Sequence, residues 1–142
     1  MILYLDTSAL VKVYINEDAS EYVKASLSAY DVIASHMIAF VEAHSAFARL
    51  HREQKITEIT FTNVKNEFVL EWSNYMQIDM LPSIVKHACD LTETFALRAY
   101  DSLHLAAAHW LLLENQKAVT FACFDNKLNR AAAILGLNLL NK

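Results

Sequence analysis

The chain predicts a three-layer α/β/α fold around a central, mainly parallel sheet of four to five strands. Three observations lead there. Short apolar runs alternate with helical stretches along the whole length, the pattern of a parallel sheet covered on both faces. Two of those runs, Ile2-Leu3-Tyr4-Leu5 and Ala118 to Phe124, end directly on an aspartate, Asp6 and Asp125. With 142 residues, 55% of them hydrophobic, the chain carries material for one well-buried core and reads as a single domain over 1–142.

Taken in order, residues 2–5 form the first strand, and Thr7 to Ile15 with Ala19 to Ala29 form two helices divided at Asn16-Glu17-Asp18. A second strand covers 31–35 and a helix 37–53. Phe61, Val64, Phe68 and Trp72 recur at steps of three and four, which sets a helix over 60–75. Residues 76–80 make a short third strand. Pro82 opens a helix to about Phe95, since proline is welcome in a first turn. A helix over roughly 99–114 is apolar on nearly every face and is therefore buried. The fourth strand spans 118–123 and a last helix 126–135. Gly136, the only glycine, stands where a left-handed helix stop would use it, and Leu137 to Leu140 forms a final edge strand.

Composition narrows the function. No apolar run reaches the roughly 18 to 20 residues that a membrane span requires. The N-terminus has no basic region ahead of its apolar one, and Asp6 interrupts it, unlike a signal peptide. Cys89 and Cys123 are far apart with no C-x-x-C pair, so neither a zinc site nor a disulfide scaffold is indicated and a reduced, cytoplasmic setting is expected. A formal net charge of −4 opposes broad, charge-driven nucleic-acid binding, which leaves only local contacts. Glycine-rich phosphate loops of the Rossmann and P-loop types are absent.

The chemistry lies in four acidic positions. If the first and fourth strands are parallel neighbours, Asp6 and Asp125 share the carboxyl edge of the sheet, where open α/β folds bind ligands. Asp101 opens the apolar helix, close to the interior, where a carboxylate needs a partner. Glu42 lies inside a helix with Ile38 and Ala46 at i−4 and i+4, so no cation pairs with it along the helix surface. Each has an ordinary reading: Asp6 and Asp125 as helix N-caps, Asp101 as a cap, Glu42 as a solvated position. Carboxylates held close repel one another, and a hard divalent cation is the simplest way to hold them together. Among the histidines, His104 and His109 are five apart and do not share a helix face as a ligand pair, so imidazole ligation is discounted.

These residues carry a resemblance. Leu5-Asp6-Thr7-Ser8-Ala9-Leu10-Val11-Lys12 resembles the opening of PIN-domain nucleases, in particular the VapC-type toxins of toxin–antitoxin pairs. Tyr100-Asp101-Ser102-Leu103-His104-Leu105-Ala106-Ala107-Ala108 is similar to their third acidic motif, and Phe121 to Leu128 to their fourth, while Glu42 fits their second position. The resemblance spans the chain from the first strand to the last. It departs at Cys123, where a Ser or Thr commonly stands two residues before the last Asp. It implies a PIN-like fold in which Asp6, Glu42, Asp101 and Asp125 gather one or two Mg²⁺ or Mn²⁺ ions to hydrolyse RNA. It also implies a small cognate antitoxin that inhibits the enzyme.

Oxygen-only ligands suit Mg²⁺ or Mn²⁺ better than Zn²⁺. Ser8 is placed to hydrogen-bond a carboxylate or a phosphate, and Lys12, Arg49, Lys127 and Arg130 are the cations close in sequence to the motifs. The helix over 60–75 offers a face for a homodimer. Two competing functions remain. A haloacid-dehalogenase-like phosphatase would need a second aspartate two residues after Asp6, where Ser8 stands. A catalytically inactive PIN-like binding module would keep the fold without the activity.

Overall fold

A computed structural model of the chain describes residues 1–141. The sheet has five strands, all parallel: β1 (Ile2–Leu5), β2 (Val32–His36), β3 (Met76–Ile78), β4 (Val119–Ala122) and β5 (Asn138–Leu139), in the order β3-β2-β1-β4-β5. The helices are α1 (Thr7–Tyr14), α2 (Ser20–Ser26), α3 (Ile38–Arg52), α4 (Glu58–Trp72), α5 (Pro82–Phe95), α6 (Ala99–Asn115) and α7 (Asn126–Ile134). From β1 the chain winds outward through β2 and β3, then returns across β1 to build β4 and β5 on the other side. The strand order therefore reverses between β1 and β4, and such a switch point leaves a crevice at the carboxyl ends of the strands.

The pleat of β1 divides the interior into two cores. Ile2 and Tyr4 pack with Ile84, Leu91, Leu103, Leu111 and Phe121, beneath α5, α6 and α7. Leu3 and Leu5 point to the opposite face, against Leu10, Ala43, Phe47 and Phe68 of α1, α3 and α4. Alternation along a strand sends neighbours to opposite faces, so an apolar run without polar interruption is what a doubly covered strand requires. This is the three-layer arrangement the alternation predicts.

Boundaries differ from the sequence reading at the places where side chains compete with periodicity. The helix expected over 60–75 begins at Glu58, because the Thr57 hydroxyl accepts from the Thr60 N–H at 3.1 Å and starts it two residues earlier. It stops at Trp72. The stretch expected to be helical over 19–29 is α2 followed by a short 3₁₀ turn, Leu27–Ala29, and is entered through Ala19 in a left-handed conformation. β3 ends at Ile78 where residues 76–80 were expected, and β5 holds two residues of the expected four. Gly136 has φ +94°, and the N–H of Leu137 reaches back to the Ala132 carbonyl at 3.1 Å, so the glycine closes α7 in the expected role. Among the described residues no helix is long and apolar enough to cross a membrane.

Candidate active site

Asp6 follows β1 at the switch point. Its backbone N–H donates to the Ala122 carbonyl at the end of β4 (3.1 Å), which continues the ladder by one residue and anchors the aspartate at the edge. The Oδ1 atom accepts from the Ala9 N–H at 2.9 Å and from the Ser8 hydroxyl at 2.7 Å. Asp6 is thus the N-cap of α1, and the supporting role expected of Ser8 is a hydrogen bond to this carboxylate. Capping uses one oxygen and leaves the other without an intramolecular hydrogen bond. Burial raises the Asp6 carboxyl to about 6, partly offset by His104 and these hydrogen bonds, with the Asp101 charge adding to the rise.

Asp125 stands three residues past β4 and caps α7, its Oδ1 accepting from the Leu128 N–H at 2.9 Å. It is exposed. The loop beneath it is held by Asn129, whose amide donates to the Cys123 carbonyl at 3.1 Å. Cys123 departs from the expected hydroxyl, and its thiol lies 3.5 Å from the Asp125 backbone carbonyl. Burial pushes that thiol up to about 12, and the charges of Asp6, Asp125 and Asp101 push the same way. The thiol stays protonated, and the three carboxylates act on one point of the structure.

Asp101 is the third residue of α6 and not its cap; Arg98 holds that position. The Arg98 Nε donates to Asp101 Oδ2 at 3.3 Å, and the partner foreseen for this carboxylate is thus an exposed guanidinium one turn back. A carboxylate in the first turn is also favoured by the helix dipole.

Glu42 projects from α3 and is held differently. Its Oε1 accepts from the Thr7 hydroxyl at 2.6 Å and from His104 Nε2 at 2.8 Å. His104 is fixed in turn by the Tyr4 hydroxyl at 2.7 Å from Nδ1. An ionised Glu42 can only accept, so Nε2 carries the hydrogen between them, and in a neutral ring Nδ1 then accepts from the Tyr4 hydroxyl. Burial alone would raise the Glu42 carboxyl, but the His104 and Thr7 interactions outweigh it and hold the group below the usual range. At the foot of α3, His36 accepts the Ile38 N–H on Nδ1 at 3.0 Å. Burial lowers its imidazole to about 4, which keeps it neutral and able to accept.

The sequence reading discounted His104 as a metal ligand, and the structure gives it another role, a buried ring held between Tyr4 and Glu42. The signal was present in another form: His104 lies three residues after Asp101, so both project from one side of α6 toward the same edge. Thr7, which the sequence reading left without a role at the site, is likewise a Glu42 partner. His109 instead meets His87 across the α5–α6 hairpin at 2.8 Å. Of the four cations near the motifs, Lys12 pairs with Glu17 at 3.2 Å and lies 4.7 Å over the Phe124 ring, and Lys127 donates to the Ala96 carbonyl at 2.6 Å. Those two are engaged in tying loops, whereas Arg49 and Arg130 are exposed.

The donor set fits a hard cation in chemistry. In each of the four carboxylates, intramolecular hydrogen bonds occupy one oxygen only: Oδ1 of Asp6 and Asp125, Oδ2 of Asp101 and Oε1 of Glu42. Among the described residues, no three His, Cys, Asp or Glu side chains already surround a common point. The site is an acid-lined edge with free oxygens, not a closed cage.

An all-parallel sheet with carboxylates at its switch point defines a class of α/β protein whose chemistry sits at the sheet's carboxyl edge. The family model described as PIN domain matches residues 3–134, and the chain belongs to that family. It is 27% identical over 135 residues to two proteins of Mycobacterium tuberculosis, Ribonuclease VapC45 and Ribonuclease VapC49, covering 95% of this chain and 92% of each relative. Among solved structures it resembles FitAcB from Neisseria gonorrhoeae (TM-score 0.65, 20% identity, 99% of this chain and 97% of the other). It also resembles VapBC2 from Rickettsia felis bound to a promoter DNA fragment (TM-score 0.65, 17% identity, 98% and 97%). At those identities the structural likeness speaks for the fold.

Proposed function

We propose that this PIN-domain protein is an endoribonuclease dependent on Mg²⁺ or Mn²⁺ and the toxin of a toxin–antitoxin pair. The reading is supported by Asp6 and Asp125 following the parallel neighbours β1 and β4, with Glu42 tied to Thr7 next to Asp6 and Asp101 adding repulsion at Asp6, each carboxylate keeping one oxygen free of intramolecular hydrogen bonds. The ribonuclease names of the two mycobacterial relatives support the reaction class. Asp6, Glu42, Asp101 and Asp125 would hold the metal. When bound, a divalent cation neutralises phosphate charge and makes water a competent nucleophile near neutral pH.

The chain's own residues prepare that edge. Ser8 and the Ala9 N–H fix the Asp6 carboxylate in one rotamer. Thr7 and His104 hold Glu42 ionised and oriented, as groups behind a metal ligand commonly do. Asp101 raises the cost of an ionised Asp6, so a cation relieves a repulsion already present.

A small antitoxin is the proposed inhibitor, a reading supported by a further structural neighbour, a toxin–antitoxin complex from Klebsiella pneumoniae (TM-score 0.59, 15% identity, 83% of each chain). An arginine or lysine of its segment would compete for the same carboxylates. A homodimer is proposed through the exposed apolar side of α4, where Ile59, Val69 and Leu70 reach solvent. The decisive test incubates the purified protein with single-stranded RNA in Mg²⁺, Mn²⁺ or a chelator. Cleavage is expected with metal and not without it, and not by Asp6→Asn. A folded protein that cuts no RNA with either metal would be the inactive binding module instead. Co-purification with the small protein encoded beside it tests the partner, and light scattering tests the dimer.

A further inference from the structure

One groove of about 450 Å³ adjoins the candidate site, and Glu42 forms part of its wall. Along α3 the groove is lined by Glu42, Ser45, Arg49 and Arg52, residues at helical steps of three and four that form a single stripe. Ten residues of rise carry that stripe about 15 Å away from the carboxylate edge. Tyr100 of α6 lines the same groove, one residue before Asp101, and is 58% exposed. Neither Arg49 nor Arg52 is in an ion pair among the described residues. Both are exposed.

The net charge of the chain is −4, so an anionic ligand approaching the acidic edge is repelled unless cations stand beside its path. Lys12 and Lys127, close in sequence to Asp6 and Asp125, are engaged with Glu17 and with the Ala96 carbonyl, and Arg98 is paired with Asp101. Of the exposed guanidiniums outside any ion pair, Arg49 and Arg52 on α3 line this groove, whereas Arg130 on α7 does not. An acidic peptide would satisfy them but has no use for an exposed tyrosine at the mouth of the acidic site. A strand of nucleotides has both a phosphate backbone and flat base faces, and only unpaired bases are free to stack on a side chain.

We propose that this groove binds single-stranded RNA running away from the carboxylate edge, with Arg49 and Arg52 on its phosphates and Tyr100 stacked on a base. The assignment rests on the endoribonuclease reading for the direction of the strand, and its test reads binding alone. The contacts to phosphate carry affinity without sequence preference, and the stack requires an unpaired nucleotide.

The experiment measures fluorescence anisotropy of a short fluorescein-labelled RNA, single-stranded or annealed to its complement, over a series of KCl concentrations with Mg²⁺. Asp6→Asn serves as the parent to prevent cleavage. Arg49→Ala and Arg52→Ala should each weaken binding several-fold and lower the slope of log affinity against log salt by about 0.7, the share of one phosphate contact. Tyr100→Ala should weaken it roughly tenfold, and Tyr100→Phe should restore it, since the ring stacks without its hydroxyl. The duplex should bind the parent more weakly and be indifferent to Tyr100→Ala.

Unchanged affinity and salt slope in both arginine variants overturn the proposal. So does duplex RNA binding as tightly as the single strand. If the groove variants leave RNA binding intact but lose the co-purifying small protein, the groove is a protein-docking surface and the proposal fails. A wild type that cuts no RNA, while the groove variants still lose RNA, would sink the endoribonuclease reading and leave the groove assignment standing.

Discussion

The two sides of the candidate site treat their carboxylates in opposite ways. On the β1–β4 side, Asp6 is buried and its carboxyl is raised to about 6, with burial the leading cause and Asp101 adding repulsion. On the α3 side, Glu42 is half-buried but held below its usual range, because His104 and Thr7 donate to it. Each accepts two hydrogen bonds and each feels His104; what separates them is the depth of burial, nearly complete at Asp6 and partial at Glu42, and the repulsion that Asp101 adds at Asp6. One side is left with a costly carboxylate, which in the proposed function a cation would complete. The other is already satisfied by hydrogen bonds and is set for geometry. A site of four acids is thus two devices joined at a sheet edge.

The largest effect that sharpens this contrast is on catalysis. Asp6→Asn and Asp101→Asn should each lower metal-dependent RNA cleavage by about a hundred- to a thousandfold, the usual loss when one electrostatic contact to the reacting group is removed. Their circular dichroism should be unchanged, because Asn at position 6 still caps α1 and Asp101 is not the cap of α6. Asp125→Asn should lose less, since that carboxylate is exposed and its neighbour Cys123 gives it no side-chain support. Wild-type rates in Asp6→Asn would remove that residue from the machinery.

On the α3 side, His104→Ala should lower activity by about ten- to a hundredfold, as removal of a group behind a ligand does. It also strips a donor from Glu42 and leaves the buried Tyr4 hydroxyl unpaired, at a stability cost of about 1–3 kcal/mol. Urea denaturation read beside Mn²⁺-dependent protection would separate the two effects. Equal Mn²⁺ protection in wild type and variant would break the claim that His104 positions Glu42.

Stability against pH tests the Asp6 side directly. Its folded carboxyl lies above the ordinary value of 3.8, so its contribution is fully present below about pH 4 and is lost as pH rises through about 6. In metal-free protein, Asp6→Asn should therefore be more stable than wild type at pH 7 by about 2–3 kcal/mol, with the advantage gone near pH 4. Millimolar Mn²⁺ should narrow the gap by stabilising the wild type alone. A variant no more stable than wild type at neutral pH would show that Asp6 bears no burden there.

The smallest effect should come from Cys123. The thiol contacts a backbone carbonyl and no carboxylate side chain, so Cys123→Ala should leave cleavage within about twofold and cost about 1 kcal/mol by the small cavity it opens. A large loss of activity with unchanged stability would make the thiol part of the site.

Local sequence determined the strands, the helices and the positions of three of the four acids. Apolar runs ending on Asp6 and Asp125 are legible because a strand buried on both faces needs uninterrupted apolar residues and a helix start needs a cap. Gly136 was legible because only glycine enters the left-handed region without cost. The tertiary structure decided the partners. Tyr4, Thr7, Glu42 and His104 lie on four separate elements, and no periodicity connects a strand residue to one a hundred positions away. Whether Asp6 and Asp125 meet depends on β1 pairing with β4, a long-range choice made by packing two cores on the two faces of one strand. Even Asp6 as cap and Asp6 as acid exclude one another only in the sequence: a carboxylate has two oxygens, and capping engages Oδ1 alone, leaving the other for the proposed metal.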